Sequence, residues 1–402
     1  MLTSPSCRRR IPAKSFHIKY PNVADTEDLL SALPTPIILL DKQRLQANCA
    51  RMAERARSAK VKLRPHLKTA KCAEVARLAT AGQFGGITVS TLAELEYFFN
   101  AGFRDMTYAV GIVPAKLATI GRMMEKGARI TVVLDALDTV AELAAKMATM
   151  PGRLPVLIEI DCGAHRAGVA PDSAQLLSLA QRIVAEPSLA MEGVLTHAGH
   201  SYHAADDDAR RAIAVAERDA AVLAAQRIRA AGLECPTVSI GSTPTALTDI
   251  ALDGVTEIRP GVYVFFDLSQ AKLGVCAIND IAVSVLATVV GHHHAAGHLL
   301  IDAGALALSK DVSANEFDQH IGYGLACDIA GVPVPGLYVS DVHQEHGFVK
   351  SSDGVPPFER FPVGSRLRIL PNHACMTVAP YDDYHVIESG TGITRWSKTH
   401  GW

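Results

Sequence analysis

The chain has 402 residues, with 39 Lys+Arg against 41 Asp+Glu and a formal net charge of -2. It therefore lacks the positive footprint that neutralises a nucleic-acid backbone or an anionic membrane, and small-molecule chemistry is the expectation. Its eight cysteines, Cys7, Cys49, Cys72, Cys162, Cys235, Cys276, Cys327 and Cys375, contain no CxxC pair, a pattern that fits reduced cytosolic thiols better than a disulfide framework.

The opening MLTSPSCRRRIPAK carries arginines but no apolar h-region behind them. It reads as a short tail rather than a secretory signal, and its Arg/Ser richness is only faintly compatible with an organellar transit peptide. No apolar run approaches the roughly 18 residues needed to cross a bilayer, so the expectation is a cytoplasmic protein with no membrane or nucleic-acid partner. An N-terminal extension over 1–33 is followed by TPIILLD, an apolar strand placed to join a later β domain.

From about residue 60 to 267, β-branched runs alternate with helical stretches, as expected of βα units around a parallel sheet. In chain order the strands read VKLRPHLK, GGITVS, DMTYAV, ARITVVLDA, PVLIEIDCG, LAMEGVLTHAG, TVSIGS and VTEIRPGVYV. Helices such as TLAELEYFFNAG and a long Ala-rich one stopped at Gly232 lie between them. Eight such units predict an α/β fold, a (β/α)8 barrel over 34–270. After Asp267 the texture changes to strand-like pieces without regular helices, which predicts an all-β C-terminal domain over 271–402. There is no internal repeat and no low-complexity linker.

A (β/α)8 barrel builds its active site at the C-terminal ends of its strands. Strand one ends in Arg64, His66 and Lys68, strand five in Asp161 and Arg166, and strand six in His197, His200 and Tyr202. Strand seven runs into Gly241-Ser242-Thr243, and strand eight into Arg259-Pro260-Gly261 and Tyr263. Taken alone, GST or RPG is an ordinary turn. Together they occupy the two loops that commonly bind phosphate in such barrels. Lys68 is expected to be desolvated at the mouth opposite that pocket, where a lysine loses its proton and condenses with an aldehyde. Lys71, one helical turn on, is expected to face solvent.

If ILPNHACMTV is a strand, His373 and Cys375 project from the same face and can share one metal ion. Without further context, a core histidine and a buried free cysteine would be the commoner outcome. Two protein ligands leave positions open for a substrate hydroxyl, and thiolate plus imidazole favours zinc, with manganese or magnesium as alternatives. GHHHAAGH at 291–298 is expected to be a hairpin loop with exposed histidines. His343, Glu345 and His346 receive no role.

The segments RPHLKTAK, DCGAHRAG, THAGHSYH and EIRPGVY resemble, over most of the chain, the alanine-racemase-like fold type III pyridoxal 5′-phosphate (PLP) enzymes, in their D-serine dehydratase and D-threonine aldolase branch. The resemblance implies PLP on Lys68, Arg166 at its phenolic oxygen and His197 stacked on its pyridine ring, with Tyr202 and Tyr263 nearby. It further implies Arg259 near the pyridine nitrogen and phosphate held at Gly241, Ser242, Thr243 and Gly261. Ala70 departs from the pattern, since relatives often have histidine there. The branch also binds a divalent metal through an HxC or HxD pair, which would make His373 and Cys375 its ligands.

The function implied is a PLP- and metal-dependent lyase acting on D-β-hydroxy amino acids. A thiolate-containing site favours dehydration of D-serine or D-threo-3-hydroxyaspartate to a keto acid and ammonia. The alternative is a D-threonine or D-3-hydroxyaspartate aldolase that yields glycine and an aldehyde. An amino-acid racemase would not need the metal pair, and a non-catalytic PLP carrier would not need the β domain. The resemblance also implies a head-to-tail homodimer in which each β domain closes the other subunit's barrel mouth.

Overall fold

The computed structural model describes residues 23–402, apart from 84, 151 and 389–391. The expectations for the N-terminal tail, Cys7 included, lie outside the described residues.

Strand β1 (Ile37–Asp41) comes first, followed by the eight barrel strands β2 (Lys62–Leu63), β3 (Ile87–Val89), β4 (Asp105–Gly111), β5 (Arg129–Leu134), β6 (Leu154–Ile160), β7 (Leu189–Thr196), β8 (Thr237–Ile240) and β9 (Glu257–Ile258). All eight pair in parallel, and β9 returns to β2. The ring closes beyond the end of β2, where Thr88 N–H donates to the Pro65 carbonyl and Leu67 N–H to the Thr88 carbonyl. Every residue of β6 is buried, as required of a strand filled on the inside and covered by helices outside. At Gly193, with φ +137°, a Cβ would stand 2.0 Å from the Thr237 carbonyl oxygen, so β7 and β8 approach as only glycine allows.

Strand one is much shorter than VKLRPHLK suggests. Pro65 has no N–H to offer a ladder, and the chain turns there. Arg64 also points away from the mouth. Its guanidinium binds Glu257 at 2.7 Å and Asp105 at 2.9 Å, both at the starting ends of their strands, so it braces the far end of the barrel.

The second sheet contains β10 (Val283–His293), β11 (His298–Ile301), β12 (Leu325–Cys327), β13 (Pro333–Val342), β14 (Gly347–Ser351), β15 (Arg366–Leu370), β16 (Asp383–Glu388) and β17 (Gly392–Ser397). Strands β10, β11, β14, β13, β12 and β15 form a closed ring, since β10 pairs with both β11 and β15. Strand β1 lies antiparallel to β10 and parallel to β16, so the chain begins in this sheet, makes the barrel, and returns to it. The GHHHAAGH hairpin forms, but its histidines are not uniformly exposed. His298 is buried with its ring 4.3 Å from that of Phe348, and His292 Nε2–H donates to the Phe361 carbonyl at 2.7 Å.

Between the two units lies the segment that follows Lys68. The Tyr384 hydroxyl donates to the Ala70 carbonyl at 2.7 Å, and Thr399 N–H donates to the Lys71 carbonyl at 2.8 Å. Lys71, at φ +50°, turns its ammonium to Glu94 at 3.3 Å and not to solvent. The β domain therefore holds the backbone of the lysine loop directly. Removing the Tyr384 hydroxyl as Tyr384→Phe is expected to lower the unfolding free energy by about 1 to 3 kcal/mol, because the buried Ala70 carbonyl loses its partner. Urea unfolding with an unchanged slope and a lowered midpoint would show this; an unshifted midpoint would mean that the clamp contributes nothing.

Candidate active site

At the C-terminal ends of the barrel strands, two adjoining cavities of about 320 and 140 Å³ share His66, Lys68, His197 and Arg259 in their walls. The larger adds Ser90, Glu159, Arg166 and Gly241, and the smaller adds Thr69, Tyr202, Ser242, Gly261, His373 and Cys375. Most residues named at strand ends are thus brought together, but Arg64, Asp161 and His200 border neither cavity, and three others differ from expectation. Lys68 is exposed in the single chain, so the expected desolvation is absent from one protomer by itself. Thr243 lies behind the walls, its hydroxyl accepting from Tyr263 N–H at 3.2 Å. Tyr263 is fully buried and borders neither cavity.

The two cavity histidines are held neutral. His197 Nδ1–H donates to the Gly241 carbonyl at 2.7 Å. Burial, with Lys68, Arg166 and Arg259 close by, pushes its imidazole down to about 3. His66 bonds Ser90 Oγ at 2.8 Å, and burial together with the nearby Lys68 draws it well below the usual histidine range. Arg259 is drawn down to about 10 by burial, against the pull of Glu257, Glu217 and Glu159, and so stays a cation at neutral pH. Its guanidinium is fixed by the Thr196 carbonyl and Ser239 Oγ. Arg166 approaches Glu159 at 3.5 Å, and burial raises the Glu159 carboxyl.

Two loops make a cradle with little room for side chains. A Cβ on Gly241, at φ +139°, would lie 2.7 Å from Arg259 N, and one on Gly261 would lie 2.8 Å from the His66 carbonyl oxygen. Ser242 and Thr245 form a capping box at the start of the helix Thr243–Leu247. Under the Gly241 loop and the turn after β7 sits Glu217, which the sequence reading missed. Its carboxylate accepts from Ala198 N–H at 2.8 Å, Gly241 N–H at 3.1 Å and Thr245 Oγ1 at 2.6 Å. An acid on the buried face of the helix Asp207–Ala230, spaced with Ala214, Ala221 and Ala224, was the available signal. An amine facing a glycine-lined cradle, a flat neutral ring and two guanidinium groups together fit an aldehyde cofactor carrying a phosphate.

The metal pair is placed differently from the expectation. Strand β15 stops at Leu370, Pro371 turns the chain, and His373 caps the short helix Ala374–Val378. His373 and Cys375 therefore meet in a helical first turn and not on one face of a strand. The ring hydrogen-bonds Cys375, and its Nδ1 lies 2.8 Å from Asp311 Oδ2. Asp267 Oδ2 accepts Ala374 N–H at 2.9 Å, and Thr69 Oγ1 lies 3.1 Å from Cys375 Sγ.

Burial opposes charge on both groups, but Asp311 and Cys375 push the His373 imidazole up to about 11, while His373 and Lys68 pull the Cys375 thiol down. The thiol is thus drawn toward the thiolate, the form that binds metal. Among the described residues no three His, Cys, Asp or Glu side chains converge as ligands, which leaves a two-donor nitrogen–sulfur site with open positions. Asp311 and Asp267 carried no motif in the sequence, and Thr69, although within RPHLKTAK, received no role there.

Comparison with known proteins agrees with this architecture. Residues 40–269 match the family "Alanine racemase, N-terminal domain", and residues 282–387 match "Putative serine dehydratase domain". The chain is 44% identical to D-threo-3-hydroxyaspartate dehydratase of Delftia sp. (strain HT23), covering 94% of this chain and 100% of that one. It is 32% identical to D-serine dehydratase of Dictyostelium discoideum, covering 93% and 98%. A solved structure of a cysteine-to-alanine variant of D-threo-3-hydroxyaspartate dehydratase in the metal-free form superposes with a TM-score of 0.90 at 43% identity, covering 93% of this chain and 100% of that one. The chain belongs to the D-serine dehydratase family of lyases, built on the alanine racemase-like fold, whose members are pyridoxal-phosphate proteins.

The neutral histidines set a pH dependence. A histidine whose folded pKa is depressed contributes stability above its unfolded value near 6.5 and loses it as pH falls toward the folded value, about 3 for His197. Each such group steepens the loss toward about 1.4 kcal/mol per pH unit below 6.5. Urea unfolding from pH 7.5 to 5.0 should therefore show His66→Asn with a shallower decline than wild type; identical slopes would mean that His66 is not held neutral.

Proposed function

We propose that this enzyme removes water from a D-configured β-hydroxy amino acid, D-threo-3-hydroxyaspartate or D-serine, to give a keto acid and ammonia. In this reading PLP is carried by Lys68, and a divalent metal, zinc in the first place, is held by His373 and Cys375. The observation that carries the reading is the shared wall. Lys68, His197 and Arg259 border both cavities, so the amine and the thiolate–imidazole pair face one small volume. The 44% identity to a dehydratase named for 3-hydroxyaspartate supports that substrate class.

When bound, PLP supplies an electron sink at Cα and the metal a Lewis acid for the β-hydroxyl. The chain's own groups do the rest. Lys68 Nζ is the base for the Cα proton. The neutral His197 ring offers a flat face without charge, and Arg259 keeps a positive charge where the cofactor ring nitrogen would lie, opposing its protonation. Gly241, Ser242 and Gly261 would take the phosphate, with Thr243 supporting that loop from behind, and Arg166 the phenolic oxygen. Tyr202 and Thr69 border the space between cofactor and metal.

Lys68 is exposed in one protomer, and this supports a head-to-tail homodimer in which a second β domain covers the mouth. The described cysteines are all free thiols, which supports a reducing, cytoplasmic setting, and no described helix is long and apolar enough to cross a membrane.

Protein loaded with PLP and zinc is expected to release ammonia and keto acid from D-threo-3-hydroxyaspartate and D-serine. It should sediment at twice the 42.8 kDa chain mass. Borohydride should fix a pyridoxyl group on Lys68, and Lys68→Ala should lose at least about 10³-fold in rate, since it removes both the cofactor anchor and the base. EDTA should abolish turnover and leave the cofactor absorption in place, and Cys375→Ser should need more zinc for the same rate. Glycine and an aldehyde as the main products would replace dehydration by aldol cleavage. Full activity without metal would refute the role given to His373 and Cys375.

A further inference from the structure

The proposed metal ligand His373 must release one of its two ring protons to bind metal, and which nitrogen then becomes the donor depends on where the remaining proton is held. The Asp311 carboxylate lies 2.8 Å from Nδ1 and can only accept a hydrogen bond. Its own orientation is set locally. Ser313 N–H donates to Oδ1 at 2.9 Å, and Asp311 N–H donates to Ser309 Oγ at 3.0 Å, so a short turn presents Oδ2 to the ring. Asp311 and His373 are 62 positions apart in sequence, and their contact is made only when the turn after the helix Ala305–Leu308 packs against the turn after β15.

We infer that Asp311 is the positioning residue of the metal site: it holds the proton of His373 on Nδ1 and so leaves Nε2 as the nitrogen that would bind the metal together with Cys375. The inference rests on the metal reading given above. The geometry makes Asp311 a partner of the ligand and not a third ligand, because a carboxylate bonded to Nδ1 lies on the opposite edge of the ring from an ion on Nε2. Its negative charge also raises the donor strength of the imidazole. Partners of this kind, when removed, typically cost about 10- to 100-fold in metal affinity.

The contact makes different demands on different replacements. Asp311→Ala leaves Nδ1 without an acceptor and frees the ring to turn or to change tautomer. Asp311→Asn can still accept Nδ1–H through its amide oxygen but carries no charge. The order of zinc affinity is therefore expected to be wild type, then Asn, then Ala, an order that a purely structural ion pair has no reason to follow.

The test is a zinc titration of the full chain, loaded with PLP, against a chromophoric chelator. It compares wild type, Asp311→Asn, Asp311→Ala and His373→Ala, with cofactor absorption and the urea midpoint of each recorded in parallel. The expected result is a loss of about 10- to 100-fold for Asp311→Ala and a smaller loss for Asp311→Asn, with the absorption and the midpoints unchanged. Wild-type zinc affinity in Asp311→Ala, combined with lost affinity in His373→Ala, would overturn the role of Asp311 and leave the metal site standing. So would a loss of zinc that merely tracks a fallen urea midpoint. Equal zinc affinity in wild type and His373→Ala would overturn the metal site itself, and the assignment of Asp311 with it.

Discussion

The hydroxyl of Thr69 lies 3.1 Å from the sulfur of Cys375, and much of the candidate site depends on that contact. Thr69 is the neighbour of Lys68, and Cys375 sits in the first turn of a helix in the other unit. The two groups that would hold cofactor and metal are thus linked through one side-chain pair. The Tyr384 hydroxyl on the Ala70 carbonyl and Thr399 N–H on the Lys71 carbonyl fix the same loop from the same side. Both contacts come from the C-terminal part of the chain, β16 and the segment after β17, which hold this one loop against the barrel mouth. A reaction that needs a lysine and a metal on opposite sides of one small substrate requires such a constraint, since a misplacement of about 1 Å is costly in rate.

The electrostatic layout divides the site into two halves. On the barrel side, Arg166 and Arg259 are cations while His66 and His197 are held neutral by burial, which suits a phosphate, a phenolate and a flat ring. On the β-domain side, Asp267, Asp311 and Cys375, whose thiol is pulled toward its anion, gather around His373, which suits a dication. Lys68 stands between the halves and borders both cavities. Beneath the barrel loops, Glu217 holds the backbone at Ala198 and Gly241 together, so His197 and the glycine cradle are set by one buried carboxylate.

Much of this was legible in the chain itself, for identifiable reasons. Buried parallel strands show as β-branched runs, and polar residues at their C-terminal ends face the mouth, so Lys68, His197, Gly241 and Arg259 were found from position alone. Arg64 misled, because it sits near the same strand end and yet turns to carboxylates at the start of β4 and β9. Lys71 misled, because Glu94, far along the chain, drew it in. A two-residue spacing brings side chains together on a strand face and in a helical first turn alike, so His373 and Cys375 meet as neighbours although the element around them was misread. Asp311 and Glu217 reach their partners only through tertiary packing, and no local pattern marks them apart from an acid on an apolar helix face.

The central claim is that cofactor and metal meet across the Lys68 loop. The most direct measurement is diffraction from crystals grown with PLP and zinc, with anomalous data collected on both sides of the zinc absorption edge. The account predicts one strong anomalous peak between His373 Nε2 and Cys375 Sγ, with continuous density joining Lys68 Nζ to the cofactor in the adjoining cavity. A principal zinc peak elsewhere, for example at the histidines of the β10–β11 hairpin, or cofactor density ending on a different lysine, would contradict it.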